Sequence, residues 1–224
     1  MSTTKEVILS GIRPTGRLHY GNYFGAIAHF LRLQERDANC YYFIADYHAL
    51  TTITDRQEIY RSTLDMLRTY VACGLDPERS IIYRQSDLPS TAELALLLGM
   101  VTNIGHLERG TTYKDKLGRL QDDPRSEGNP LSYGLLGYPV LMAADILIVR
   151  ADLVPVGDDQ RQHLEMACDI ATKFNHRFGE TLHIPKPLGR DALRLPGLDG
   201  SAKTGRNENN TLDLLDDPAT VLRK

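Results

Sequence analysis

Short apolar runs alternate along the chain with longer stretches in which apolar residues recur at helical spacing. Three short runs, rich in β-branched and aromatic residues, predict buried strands over residues 6–9, 40–46 and 80–85. The longer stretches predict helices over residues 23–36, 55–73, 91–101, 131–149 and 158–178. Strands that alternate with helices are typical of a parallel sheet with right-handed crossovers. We therefore predict an α/β fold, a doubly wound parallel sheet with flanking helices.

The first predicted strand leads into a glycine-rich bend over residues 10–26, and a helix begins near its end. A strand, a glycine-rich bend and a helix start together present backbone N–H groups to phosphate oxygens. His19 and Asn22 lie three residues apart on the opening helical turn, so both side chains can point at one ligand. The stretch predicts a phosphate site, and a purely structural turn is the alternative.

A single carboxylate interrupts the nearly apolar stretch 131–149, at Asp145. A buried carboxylate is costly unless it is paired or hydrogen-bonded. Tyr138 and Met142 precede it by seven and three residues and so share its helical face. Together they predict a pocket for a flat apolar group with one polar handle. Helix capping or a bond to the backbone is the alternative role for Asp145.

Three polar segments have both a structural and a functional interpretation. Two acids begin the helix after Gly157; they are caps, or Asp159 and Gln160 face a cleft and bind ribose hydroxyls or an ammonium group. The charged stretch 105–119 is a solvated helix face, or its lysines belong to a mobile lid with the turn-rich loop 121–130. The glycine-rich loop with Lys203 and Arg206 is a surface loop, or it holds an anionic leaving group. A short helix is predicted to follow it, around residues 212–215.

Composition narrows the classes of protein. The 224 residues are 42% hydrophobic and 25% charged, which is typical of one large globular domain or of a domain with a small appendage. A net charge of −3 gives no general basic footprint for nucleic acid. Three widely separated cysteines suit a reducing cytoplasm and form no zinc or iron–sulfur motif. No apolar run approaches the ~20 residues of a membrane span.

Five segments of the chain, in this order, resemble the signatures of class I aminoacyl-tRNA synthetases, and within that class the tryptophanyl-tRNA synthetase family. His19–Asn22 stands at the "HIGH" signature and Lys203–Asn207 at the "KMSKS" signature. Between them, Asp46–Ala49 resembles the second-strand loop, Tyr138–Asp145 the tryptophan pocket and Val154–His163 the nucleoside-side motif. The resemblance covers residues 10–218 and implies a Rossmann-like catalytic domain.

The resemblance also implies a reaction. ATP and L-tryptophan would give tryptophanyl-adenylate and pyrophosphate, and the tryptophanyl group would then pass to tRNA(Trp). ATP is a substrate, Mg²⁺ would help to neutralise its phosphates, no protein metal ligands are assigned, and a homodimer is expected. The implied site residues fall into three groups: catalytic His19, Asn22, Lys116, Lys203 and Arg206; ATP-binding Arg13, Gly21, Asn22, Asp159 and Lys203; tryptophan-binding Gly11, His48, Tyr138, Met142, Asp145 and Gln160. Asp145 would accept the indole N–H.

The sequence departs from the family pattern at three points. Arg13 stands where the family has glutamine, Arg206 replaces the second signature lysine, and the chain stops at residue 224, where the family continues into a helical anticodon-binding domain. We expect a catalytic domain over 1–190, with an inserted segment at about 104–135, and the start of a truncated helical region over 191–224. The chain is then a fragment or a shortened paralogue. A tyrosine-activating enzyme of the same fold and a weakened paralogue that binds tryptophan or adenylate remain alternatives.

Overall fold

The computed structural model describes residues 5–110, 113–114, 117, 132–189, 195–201, 204 and 210–224, without the side chains of Asp158 and Asp159. The chain forms two compact units. The first contains Met1–Arg84 and Gly189–Lys224, and the second contains Gln85–Leu188.

Three parallel strands form the centre of the first unit. Strands β1 (Glu6–Ile12), β2 (Ala38–Ile44) and β3 (Ser80–Arg84) lie in the order β3-β2-β1. The register of β1 on β2 runs from Glu6 opposite Ala38 to Ile12 opposite Ile44. The predicted strand positions and their parallel pairing are confirmed. Strand β1 is buried on both faces at its centre, because the consecutive residues Ile8 and Leu9 point to opposite faces and both are buried.

The helices of the first unit begin with a continuous helical segment. It consists of α1 (Tyr20–Asn22), a π-helical turn (Tyr23–Ile27) and α2 (Ala28–Leu33). The remaining helices are α3 (Asp46–Ala49), α4 (Arg56–Ala72) and, at the end of the chain, α9 (Pro218–Arg223).

Helix α4 has a capping residue at its start and a glycine just after its end. Asp55 is its N-cap and accepts a 2.7 Å hydrogen bond from the backbone N–H of Glu58. Gly74 follows its C-cap at φ +105°, a conformation that favours glycine.

The second unit is mostly helical. It consists of a 3₁₀ turn (Gln85–Asp87), α5 (Ser90–Gly99), α6 (Ile104–Leu107), α7 (Tyr133–Ile148), strand β4 (Leu153–Val156), α8 (Asp158–Phe178) and strand β5 (Lys186–Gly189). Helix α7 packs against α5 and α8, which explains its apolar composition on more than one face. Strands β4 and β5 are neighbours. Within the described residues, no helix has both the length and the apolar character needed to cross a membrane.

Two local predictions are wrong, and one alternative is excluded. Residues 46–49, matched above to the second-strand loop, form helix α3. Residues 212–215 form no helix, because the backbone there pairs with the residues around His19, and local composition does not contain that information. The excluded alternative is capping by the two acids after Gly157, since Gly157 is itself the N-cap of helix α8.

Candidate active site

In the first signature, the side chains of His19 and Asn22, both predicted to bind the ligand, accept hydrogen bonds from backbone N–H groups of the same turn. The His19 backbone N–H donates to Asn22 Oδ1 at 3.0 Å, and His19 Nδ1 accepts from the Gly21 N–H at 3.1 Å. Together these contacts form a capping box at the start of α1. His19 and Asn22 are therefore held on one turn, as predicted. This turn is also followed by a π-helical turn, a feature that recurs at functional sites.

The residues on both sides of the last signature are anchored to this first signature. The Tyr20 hydroxyl donates to the Pro196 carbonyl at 2.6 Å, and the Tyr20 N–H donates to the Leu212 carbonyl at 3.0 Å. His19 and Asp213 form an antiparallel bridge. Within the loop itself, Thr204 lies so close to Gly21 that a Cβ at Gly21 would stand 2.7 Å from Thr204 Cγ2. The two signatures, far apart in sequence, therefore meet in space.

A cluster of hydrogen bonds closes the base of the last signature loop. We call Asp199, Ser201 and Asn210 the loop clamp. Asp199 Oδ1 accepts from Ser201 Oγ at 2.7 Å and from Asn210 Nδ2 at 3.1 Å, and Asn210 Nδ2 donates to Ser201 Oγ at 2.8 Å. The hydrogen bonds from Ser201, with a smaller contribution from Asn210, hold the pKa of the Asp199 carboxyl below its ordinary value. Gly197 is required beside the clamp, since its Cβ would lie 2.2 Å from Asn210 Nδ2.

The other predicted site residues of the first unit have varied surroundings. Gly11 faces Phe43 on β2 so closely that no side chain fits there, because a Cβ would lie 2.5 Å from the Phe43 ring. Arg13 is exposed in the bend after β1, and its carbonyl accepts from the Thr15 N–H at 2.8 Å. His48 is buried in α3, at the carboxyl end of β2, where ligands sit in open α/β sheets.

In the second unit, the Asp145 carboxylate has a buried hydrogen-bonding partner. Gln85 Nε2 donates to Asp145 Oδ1 at 2.8 Å and to Oδ2 at 3.0 Å. Asp145 is 3% exposed and Gln85 1% exposed. A carboxylate in the middle of α7 therefore neither caps a helix nor faces solvent, and the neutral amide of Gln85 is one of its hydrogen-bonding partners.

A second, partly buried polar network links α7 to α8. The Tyr138 hydroxyl contacts His163 Nε2, and the two rings meet edge to face at 5.3 Å. On the other side of the ring, His163 Nδ1 lies 3.1 Å from Gln160 Oε1. If Tyr138 donates to Nε2, Nδ1 carries the proton and donates to Gln160. Gln160 and Tyr138 are therefore oriented by His163, and Met142 lies half-buried one turn after Tyr138.

Sequence reasoning missed two of these residues. His163 appeared only as part of a motif, and its position three residues after Gln160 on a helix is the signal that could have identified it. Gln85 was placed in a strand without a role, although a polar residue just after a buried strand is a ligand-side position in α/β sheets. Three predicted residues, Lys116, Lys203 and Arg206, lie outside the described residues, as does the side chain of Asp159.

Comparison with known proteins identifies similar chains. The family model described as "tRNA synthetases class I (W and Y)" matches residues 1–224. A tryptophan–tRNA ligase of Porphyromonas gingivalis is 49% identical over 98% of this chain, and one of Clostridium tetani is 43% identical over all of it. The chain spans 65% of the length of each of these relatives.

A solved structure has the same fold. The structure of tryptophanyl-tRNA synthetase from Campylobacter jejuni, complexed with ADP and tryptophan, matches 97% of this chain at a TM-score of 0.87 and 38% identity. The chain covers 65% of that solved chain. This similarity confirms the predicted Rossmann-like fold. The family match over the whole sequence, the identity to the relatives and the two signatures that meet in space agree, and the chain belongs to the class I tRNA synthetases of the tryptophan and tyrosine (W and Y) group.

Proposed function

We propose that the chain is the catalytic part of a tryptophan–tRNA ligase. It would activate L-tryptophan with ATP, forming tryptophanyl-adenylate and releasing pyrophosphate, and would then transfer the tryptophanyl group to tRNA(Trp). The observation that carries the proposal is the buried Asp145 carboxylate on an otherwise apolar helix, in a chain 49% identical to a protein named tryptophan–tRNA ligase. An indole N–H only donates, and a carboxylate only accepts.

The first unit supports the ATP side of the proposal. His19, Gly21 and Asn22 occupy the first turn of a helical segment, where the helix dipole favours phosphate. Arg13 would add a positive charge near the α-phosphate. Lys203 and Arg206 would reach the phosphates from the loop whose neighbouring residues are anchored to that same turn, and Lys116 would come from the inserted segment.

The second unit supports the amino-acid side. Asp145 would accept the indole N–H, while Tyr138 and Met142 would pack against the ring from the same helix. Gln160, oriented by His163, would hold the polar end of tryptophan. The Asp159 backbone lies in the first turn of α8, and its side chain would approach the ribose. Two residues of the first unit belong to the same proposed group. Gly11 would let the ligand approach β1 closely, and His48 would lie near the carboxyl group of tryptophan.

Chemistry in such a site rests on positioning and charge neutralisation, with no covalent enzyme intermediate. The tryptophan carboxylate oxygen would attack the α-phosphorus of ATP, and pyrophosphate would leave with the electrons of the broken bond. A terminal ribose hydroxyl of tRNA would then attack the activated carbonyl, and AMP would leave. His19, Asn22 and the cationic side chains would stabilise the charge that builds on the phosphate oxygens.

Mg²⁺ would come with the nucleotide. The described part of the chain has no group of three His, Cys, Asp or Glu side chains arranged to hold a metal. The described residues thus provide no protein cage, and Mg²⁺ often keeps its waters and binds substrate phosphates instead. When bound, the ion would neutralise phosphate charge.

We also propose a homodimer, as the family resemblance implies. Helix α5 and the residues after it expose four large apolar side chains: Leu96, Leu97, Met100 and Ile104, each at least 54% exposed. Contiguous exposed apolar residues mark interaction surfaces. A cytoplasmic location is part of the same proposal, and the three free cysteines suit a reducing compartment.

Amino-acid-dependent exchange of labelled pyrophosphate into ATP tests the function directly. The 224-residue chain should catalyse exchange with tryptophan and give background with tyrosine. A tyrosine hydroxyl also has to accept a hydrogen bond, and a carboxylate supplies no donor for it. Tyrosine-dependent exchange would identify the tyrosine-activating alternative. Tight tryptophan binding without any exchange would identify the weakened, ligand-binding paralogue, which the replacement of the second signature lysine by Arg206 favours.

A further inference from the structure

Asp145 is a buried carboxylate, so some interaction has to offset its lost hydration. It is the only acidic or basic residue in α7, and it is 3% exposed. Removing a carboxylate from water costs several kcal/mol unless hydrogen bonds replace the lost hydration. A residue kept at such a position is either structurally paired or arranged for a ligand.

The Gln85 side chain supplies that replacement through one nitrogen placed between the two oxygens. Its distances of 2.8 and 3.0 Å to the two carboxylate oxygens differ by little, so the amide fixes the rotation of the carboxylate plane as well as its position. Gln85 is itself 1% exposed and begins a 3₁₀ turn, which holds its backbone. Both partners are therefore buried, and each lies on a regular element.

The Gln85 amide is an uncharged donor. An arginine or lysine at its place would also position the carboxylate, but as a cation it would compete with a ligand donor. A carboxylate offers about four lone-pair positions, so it can accept from an amide and from a ligand N–H together.

We propose that Gln85 is a positioning residue for amino-acid selection, which fixes the Asp145 carboxylate in the orientation that accepts the indole N–H of tryptophan. Gln85 acts through Asp145 and does not itself touch the amino acid. The inference rests on the proposed function. It adds that Gln85 makes binding depend on a hydrogen-bond donor in the ring of the amino acid. It predicts that selection against a ring without an N–H depends on Gln85.

The test compares two ligands that differ at one ring atom. L-β-(benzothiophen-3-yl)alanine has the shape of tryptophan but carries sulfur in place of the indole N–H. The parent chain should bind tryptophan about 10- to 100-fold more tightly than this analogue by calorimetry, the range for a hydrogen bond to a charged group. In Gln85→Met, which has similar length and no donor, the ratio of the two Kd values should fall toward one, with tryptophan losing most of the affinity.

Gln34→Met is the matched control. Gln34 is a second buried glutamine, 8% exposed, whose amide donates to the Gly74 carbonyl at 3.0 Å and accepts from the Asp76 N–H at 3.1 Å. Replacing Gln34 also removes hydrogen bonds of a buried side-chain amide, so it should lower the temperature of the unfolding midpoint. It should leave the Kd ratio at the parent value, because none of these contacts involves Asp145.

A Gln85→Met chain with the parent Kd ratio would overturn the inference, whether the affinity for both ligands is unchanged or falls equally. If Gln85→Met does not fold, the side-chain ¹⁵N amide signal of Gln85 in the parent decides: it should shift more with tryptophan than with the analogue, and equal shifts overturn the inference. A parent chain that binds no tryptophan refutes the proposed function itself, which separates the two failures.

Discussion

Gly11→Ala should destabilise the first unit, because the structure leaves no space for a methyl group there. Gly11 lies opposite Phe43 in the register of β1 and β2. A Cβ at this position would stand 2.5, 2.6 and 2.7 Å from three Phe43 ring atoms. Ordinary carbon–carbon contacts are ~3.5–4.0 Å, so the overlap is about 1 Å against three atoms at once.

The magnitude follows from whether the ring can move. Phe43 is 8% exposed, and its ring centroid lies 5.9 Å from that of Tyr83. Overpacking of a well-packed core costs about 1–3 kcal/mol. For a chain of this size, that loss lowers the unfolding midpoint by about 2–4 °C per kcal/mol. Urea unfolding followed by circular dichroism measures the difference directly.

Two further variants make the measurement decisive. Gly25→Ala is the control, since a Cβ at Gly25 meets nothing within 4 Å and the residue lies in a helical segment. It should be neutral or slightly stabilising. Phe43→Leu removes the clashing ring atoms, so Gly11→Ala should cost less in that background. A Gly11→Ala chain as stable as the parent would refute the packing argument, and with it the role of Gly11 as a close-approach position.

Three further predictions concern the site and its supports. Asp145→Ala should weaken tryptophan binding about 10- to 100-fold by calorimetry while ATP binding is unchanged; unaltered tryptophan affinity would remove Asp145 from the pocket. Asp55→Ala should lower the free energy of unfolding by about 1 kcal/mol through loss of the α4 cap, whereas Asp217→Ala, at the cap of the terminal helix, should have a smaller effect on global unfolding. The lowered pKa of Asp199 means that the loop clamp is intact above the ordinary aspartate pKa and is lost as the pH falls through the lowered value. The amide signal of Ser201 should therefore move on acidification only at that lower pH; movement at the ordinary aspartate pKa would contradict it.

Periodicity alone located most of the secondary structure. The buried strand over Ala38–Ile44, the capped helix after Asp55 and the long helix ending at Gly179 were all predicted within a few residues. These elements are readable because their signals are local: apolar spacing, a capping side chain and a glycine at positive φ. The order of the signature segments was equally readable, and it led to the family that the comparisons confirm.

Local signals failed where a distant part of the chain supplied the bonding partner. Residues 212–215 have helical composition, but their backbone pairs with residues around His19, nearly two hundred positions earlier. The signature loop is composed like a surface loop, yet the clamp at its base and the Tyr20 contact with Pro196 anchor it. No window of sequence contains both halves of such contacts.

The sequence by itself determined the α/β pattern, the family and the identity of Asp145 as the one charge on an apolar helix. Only the tertiary structure decided what that charge contacts, because Gln85 and Asp145 are separated by sixty residues and meet through folding. It likewise decided that the glycines at positions 11 and 197 are packing requirements, since the atoms that exclude a side chain come from other segments. Residue type and spacing are encoded locally, whereas the partner of a buried polar group is set by which surfaces the fold brings together.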